Sequence, residues 1–300
     1  FTFSPVNFGV VLHAVIREVC DEIKKNGESY YLISEEKRRE MVKRSVAAIT
    51  DIYQNSILKD SSRNSFMIKR MEDLADRTIW AMGEQLKCGD FVPFVFEHKF
   101  NMEVGDGDRK QLMSGTIDRV DICENDTDVY VRIIDYKTGK KDFNIVKTYY
   151  GIDIQLMVYM EAAMKLVAKM RPGKNVIPAG VFYYNISDPI VSATTESAEE
   201  IEDKIKGELR LKGMVNSDKD IAEKMDNTEG TSLNIPVSRK ADGGFDSRRS
   251  KVMNTEQFNM LGRFVDVRAV DTADRIAGGD IRRSPYKDGQ FSSCDRCPYG

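Results

Sequence analysis

Long apolar runs are missing from this sequence: stretches such as 10–12 and 15–16 fall far short of the roughly 20 residues that span a bilayer, which excludes a transmembrane helix. A basic leader followed by an apolar core is missing too, so nothing directs the chain to secretion. Phe1 in place of an initiator Met leads us to expect further residues ahead of it. Cysteine is scarce. Five occur in 300 residues, and Cys20, Cys88 and Cys123 stand isolated, which argues against a disulfide framework and for a reducing compartment. Positive charge is not in excess either: 45 Lys and Arg against 48 Asp and Glu give a net charge of -3. Any phosphate contacts must therefore come from local clusters of Lys and Arg. There is no internal repeat and no low-complexity tract.

What is present has the balance of a soluble globular chain, with 41% hydrophobic and 31% charged residues, and 300 residues suffice for one elaborated domain or two small ones. Residues 5–24 carry Phe8, Val11, Leu12, Val15, Ile16 and Val19 at helical spacing, with Pro5 near the start and Gly27 beyond the end. Segments 35–60 and 62–87 share that periodicity and form a helical excursion within 30–90, leaving through Cys88 and Gly89. Strand-forming residues then take over at 94–100, 112–123 and 129–136, separated by the turn-prone GDG at 105–107 and END at 124–126, the pattern of an antiparallel meander. An apolar helix is expected at about 150–169, a strand at 177–186, charged helix over 196–225, a loop or small hairpin at 226–250 and a last helix at about 255–277. This order predicts an α/β fold with one sheet flanked by helices. Lys and Arg cluster three times: Lys137, Lys140, Lys141 and Lys147; Arg248, Arg249 and Lys251; Arg282, Arg283 and Lys287. Each cluster alone reads as solvated surface charge.

Two predicted strands end in charge where a core strand should be apolar: GTIDRVD at 115–121 and IIDYKTG at 133–139. Side chains alternate across a strand, so Asp135 and Lys137 share the face of Val129, Val131 and Ile133, while Asp118 shares that of Leu112, Val120 and Ile122. Two carboxylates from neighbouring strands can thus converge at one half-buried point, where they repel unless a cation lies between them. Hard oxygen ligands without a nearby thiolate point to Mg²⁺ or Mn²⁺. Lys137 would then lie beside the metal-bound water, able to orient or deprotonate it and to stabilise charge growing on a phosphate. Asp135 and Lys137 by themselves also fit a buried ion pair.

These stretches resemble the RecB-like branch of the PD-(D/E)XK nuclease superfamily, whose pattern is G-x-I-D-R, then D-Y-K-T/S-G, then Q-x-x-x-Y. The third element is QLMVY at 155–159, with Gln155 and Tyr159 on one helix face. The resemblance reaches back to GVVLH at 9–13, similar to the G-x-x-x-H element that supplies a histidine ligand. It implies a restriction-endonuclease-like core, a central mixed sheet flanked by helices with helical insertions. It also implies metal held by His13, Asp118, Asp135 and the Tyr136 carbonyl, with Lys137, Gln155 and Tyr159 completing the catalytic group. Glu97 falls where relatives carry an acidic residue, an exposed glutamate on an outer strand being the other reading, and Arg119 of the G-x-I-D-R element joins the candidates.

Near the C-terminus, CDRC at 294–297 and the strand at 178–189 resemble AddB-type subunits of bacterial helicase-nucleases. In that family the C-x-x-C pair belongs to a four-cysteine iron-sulfur site, and Cys20, Cys88 and Cys123 do not match its other positions. Two thiolates cannot hold a cluster that needs four, so a [4Fe-4S] cluster is expected in a full-length protein and not in this fragment, whose residues 290–300 would be a truncated iron-sulfur tail. The resemblance implies one nuclease domain over 1–300, cleaving single-stranded DNA ends during double-strand break repair beside an AddA-like helicase partner in a cytoplasmic heterodimer. Two other readings stay open: a catalytically silent clamp that binds DNA or the partner subunit, and a phage or CRISPR-associated exonuclease of the same branch.

Overall fold

The computed structural model describes residues 5–54, 62–105, 110–192, 195–282, 284–289 and 291–297. The chain opens on α1 (Pro5–Lys25), α2 (Glu35–Gln54) and α3 (Ser62–Lys87). β1 (Val92–Val104), β2 (Gln111–Glu124) and β3 (Asp128–Lys137) follow, then α4 (Ile145–Tyr149), α5 (Gln155–Met170) and β4 (Asn175–Asn185). After them come α6 (Ala198–Glu208), β5 (Lys212–Asn216), α7 (Lys219–Met225), β6 (Val252–Met253) and α8 (Thr255–Ala277). A two-stranded ribbon, β7 (Lys287–Asp288) with β8 (Phe291–Ser292), and a 3-10 turn (Ser293–Arg296) end the described chain.

The six strands from β1 to β6 lie in chain order in one mixed sheet. β1, β2 and β3 form the antiparallel meander; β4 returns parallel to β3 after the α5 crossover, and β5 and β6 close the far edge. Alternation along β3 sorts its residues into two cores. Tyr130, Ile134 and Tyr136 join one with α1, α2 and α3, while Val129, Val131 and Ile133 join the other with α5 and α8. The result is a three-layer sandwich, helices on both faces of a sheet, as the sequence pattern predicted. The helical stripe of α1 is fully used: Val11, Leu12, Val15, Ile16, Val19 and Ile23 are no more than 1% exposed. Each such burial contributes about 1.5–3 kcal/mol. Among the described residues no helix is long and apolar enough to cross a membrane.

Three expectations need correction. The stretch 196–225 is not continuous helix, because β5 interrupts it at Lys212–Asn216. The signal was Gly213, where a Cβ would stand 1.9 Å from the Val181 carbonyl oxygen of the adjoining strand, so only glycine permits that close pairing. The apolar helix begins at Gln155 rather than near 150, since Gly151 takes a φ of 76° and ends the short α4 turn. Leu112, placed on the buried face with Asp118, is 71% exposed; only residues 119–124 of β2 pair with β3, so its first half forms a ribbon with β1 alone. The end of the expected helix at 55–60, part of the turn at 105–107, Arg283, Gln290 and residues 298–300 lie outside the described residues.

Beneath the end of the sheet lies a fully buried charge triad. Asp121 accepts two hydrogen bonds from Arg119, at 2.7 and 2.6 Å, and one from Arg132 at 2.8 Å, and none of the three is more than 1% exposed. Burial disfavours the Asp121 anion, but the two guanidinium groups prevail and hold its carboxyl below the usual range. Asp121→Asn leaves two buried cations without their counter-ion, and an equilibrium urea titration is expected to find a loss of about 3–5 kcal/mol. With the folded pKa depressed, the stabilisation from Asp121 is complete above the unfolded value of about 3.9 and drains as pH falls below it.

Candidate active site

The strand register does the first work. Phe96 pairs with Arg119 and His98 with Ile117, so Glu97 faces Asp118, and Arg119 pairs with Ile134, so Asp118 adjoins Asp135 one step further along. Three acidic residues thus stand in one row across β1, β2 and β3. Glu97 has a φ of 48°, the only positive value at a non-glycine among the described residues, in the left-handed region that costs a side chain about 1–2 kcal/mol.

His13 arrives from α1, in the layer on the other face of the sheet. Its Nδ1 lies 3.4 Å from Glu97 Oε1 and 3.4 Å from Asp118 Oδ1. One ligand atom from each of the three residues fits within 4.8 Å of the others, a set that can hold a metal ion. The imidazole is set by its edge contact with the Tyr136 ring at 5.9 Å, which packs edge-on against Tyr184 at 5.8 Å. The Tyr136 backbone N–H donates to Asp118 Oδ2 at 2.6 Å, leaving Oδ1 facing His13.

Asp135 is only 2% exposed and lies outside that trio, its Oδ2 in an ion pair with Lys137 Nζ at 2.5 Å. Burial, reinforced by the charge on Asp118, pushes the Asp135 carboxyl up to about 7 against the pull of Lys137 and His13. At His13 burial works against the cation, yet Asp118 and Glu97 outweigh it and raise the imidazole to about 10.

Lys137 is fixed from a second side by Gln155 Oε1 at 3.1 Å. The amide of Gln155 cannot turn away, because its Nε2 donates to the Tyr159 hydroxyl at 2.9 Å. Tyr159 in turn meets Phe100 edge-on at 5.7 Å. Here the glycine of G-x-I-D-R finds its reason: a Cβ on Gly115 would stand 2.9 Å from the Phe100 ring and 3.3 Å from Tyr159 Cε1.

The structure therefore brings His13, Glu97, Asp118, Asp135, Lys137, Gln155 and Tyr159 to one place. Arg119 does not join them: strand alternation turns it away from Asp118 into the buried pair with Asp121. Two residues escaped the sequence reading. Tyr183 donates to Asp153 at 2.7 Å, Asp153 pairs with Lys141 at 3.2 Å, and Lys137 and Lys141 both lie over the Tyr183 ring, at 5.7 and 5.5 Å. The available signal was a lone acid, Asp153, in the otherwise apolar approach to α5. Cys294 and Cys297 sit exposed on the 3-10 turn, while Cys20 and Cys123 are buried and Cys88 is half-buried.

A model of the PD-(D/E)XK nuclease superfamily matches residues 1–300. The chain is similar to the B-type subunit of the ATP-dependent helicase/deoxyribonuclease of Clostridium botulinum (strain Hall), at 33% identity over the whole chain and 27% of that protein. Proteins of the same name from Caldanaerobacter subterraneus subsp. tengcongensis and Clostridium acetobutylicum are 34% and 33% identical, each over the whole chain and 26% of the relative. The chain spans about a quarter of the length of these curated relatives. A match that runs from the first residue to the last takes in both helical layers as well as the acidic row, and the chain belongs to the PD-(D/E)XK nuclease superfamily.

Proposed function

We propose that this chain is the nuclease domain of a helicase-nuclease subunit and hydrolyses phosphodiester bonds of single-stranded DNA ends with the help of Mg²⁺ or Mn²⁺. The supporting observation is the placement of His13, Glu97 and Asp118 within 4.8 Å of one another beside the Asp135–Lys137 pair. Two carboxylates and an imidazole, all hard or borderline donors, suit a divalent cation of this class. His13, Glu97 and Asp118 would hold the ion, with Asp135 and the Tyr136 carbonyl as further ligands. Once bound, the ion supplies Lewis-acid polarisation and makes water a competent nucleophile near neutral pH.

The chain's own groups divide the remaining work. Lys137, pinned between Asp135 and Gln155, presents a fixed positive charge to a scissile phosphate and to the charge that grows on it. Gln155 and Tyr159 set the direction of that ammonium, so their part is positioning. The same ammonium would orient or deprotonate an attacking water, with Asp135 kept as a ligand.

The relatives' name couples a helicase with a deoxyribonuclease, and in keeping with it the domain would work beside a helicase partner; a cytoplasmic heterodimer acting at double-strand breaks is the wider setting of this reading. Cys294 and Cys297 are two thiols where an iron-sulfur cluster needs four, and the other cysteines of this chain lie elsewhere, so a [4Fe-4S] centre would draw its remaining ligands from the full-length protein.

Isothermal titration with Mn²⁺ is expected to find one site lost in Asp118→Ala. Because the ion displaces the proton on His13, affinity should rise by about tenfold per pH unit between pH 7 and 9, and more steeply below 7 if Asp135 is also a ligand. Absence of binding would favour the silent clamp. In the parent complex, Asp118→Ala or Lys137→Ala should lower single-strand cleavage by at least about 10²-fold with melting unchanged; undiminished cleavage in both variants ends the proposal.

A further inference from the structure

Between the two catalytic elements the chain makes an excursion, residues 138–154, that the mechanism leaves unused. Its two ends meet in the site, since Lys137 Nζ and Gln155 Oε1 lie 3.1 Å apart. Its tip is unusually apolar for a surface. Ile145, Val146, Tyr149, Tyr150 and Ile152 are between 36% and 57% exposed, a concentration that marks an interaction surface.

The rings at this tip are ordered. Tyr149 stacks on Phe264 of α8 at 5.2 Å with planes 5° apart, Tyr150 meets Tyr149 edge-on at 5.2 Å, and Tyr286 lies 4.9 Å from Tyr150. Lysines from two of the basic clusters also lie here: Lys137 and Lys141 flank the start of the excursion over Tyr183, and Lys251 pairs with Asp142 within it at 2.6 Å. Aromatic faces interleaved with cations, starting at the reacting groups, match the chemistry of an unpaired nucleic-acid strand: bases on the rings, phosphates along the lysines. A protein partner would account for the exposed rings but not for Lys137 and Lys141 beside them at the site.

We infer that Tyr149 and Tyr150, extended by Tyr286, form a base-stacking ladder that holds unpaired nucleic acid next to the active site. The inference rests on the nuclease reading and names residues that grip the substrate in it. Stacking of this kind tolerates any base, because every base has a π-face. It gives no hold on a strand without bases.

The test reads binding without cleavage. Fluorescence anisotropy, in buffer with a metal chelator, compares an oligothymidylate of about 20 nucleotides with an abasic strand of equal length. The probes are the whole chain, the double variant Tyr149→Leu/Tyr150→Leu, and Tyr149→Phe/Tyr150→Phe as a control that keeps the rings. Expected is a loss of about tenfold or more for the leucine variant on the oligothymidylate, no change on the abasic strand, and parent-like binding by the phenylalanine variant. Equal loss on both strands, unchanged binding, or a parent chain that holds neither strand overturns the ladder, and unchanged binding points to a protein partner instead. Binding as expected together with undiminished cleavage by the parent complex in both Asp118→Ala and Lys137→Ala would sink the nuclease reading and leave the ladder standing.

Discussion

The arrangement depends on crowding negative charge at one end of the sheet. Register alone brings Glu97, Asp118 and Asp135 abreast on three neighbouring strands, and like charges so placed repel. The molecule meets that repulsion from both sides. His13 comes from the layer of α1 and Lys137 from β3 itself, each held against a carboxylate, and Asp135 keeps a proton into the neutral range. A divalent ion offers the same relief in a smaller space. Much of the fold can be understood as the means of bringing helices from opposite faces to one strand end.

Rigidity under that site comes from two sources. The apolar layers on either face fix α1 and α5 against the sheet, and the Arg119–Asp121–Arg132 triad ties β2 to β3 just below the acidic row. A buried triad is a costly way to join two strands, since its charges must be stripped of water. Its hydrogen bonds, however, define relative position more sharply than apolar contacts do. The Tyr136 N–H bond to Asp118 extends that tie into the site, so the direction of one candidate ligand is set by the pairing of the strands.

Much of this was legible in the sequence because the informative residues break local rules. A carboxylate and an ammonium ending an apolar strand disclose Asp135 and Lys137, and the helical stripe of α1 places His13 at its border. What stayed hidden depends on contacts between distant segments. Whether Glu97 is an idle surface group or part of the cluster turns on the pairing of β1 with β2, and no spacing within 94–100 reveals it. Arg119 was misplaced for the opposite reason: it lies next to Asp118 in the chain, but a one-residue step in a strand reverses the face. β5 was missed because five residues with a central glycine carry too little pattern to be told from the charged helices beside them.

The excursion at 138–154 has its two ends fixed by the core, one at the close of β3 and one at the start of α5, so the chemistry sets their separation and the intervening residues do not. Lengthening a loop whose ends are already pinned adds little closure entropy, growing only as the logarithm of its length. The exposed surface of the excursion can therefore be rewritten while Lys137 and Gln155 stay where they are. A scaffold built in this way separates the outer surface from the acidic row, and lets selection act on the first without disturbing the second.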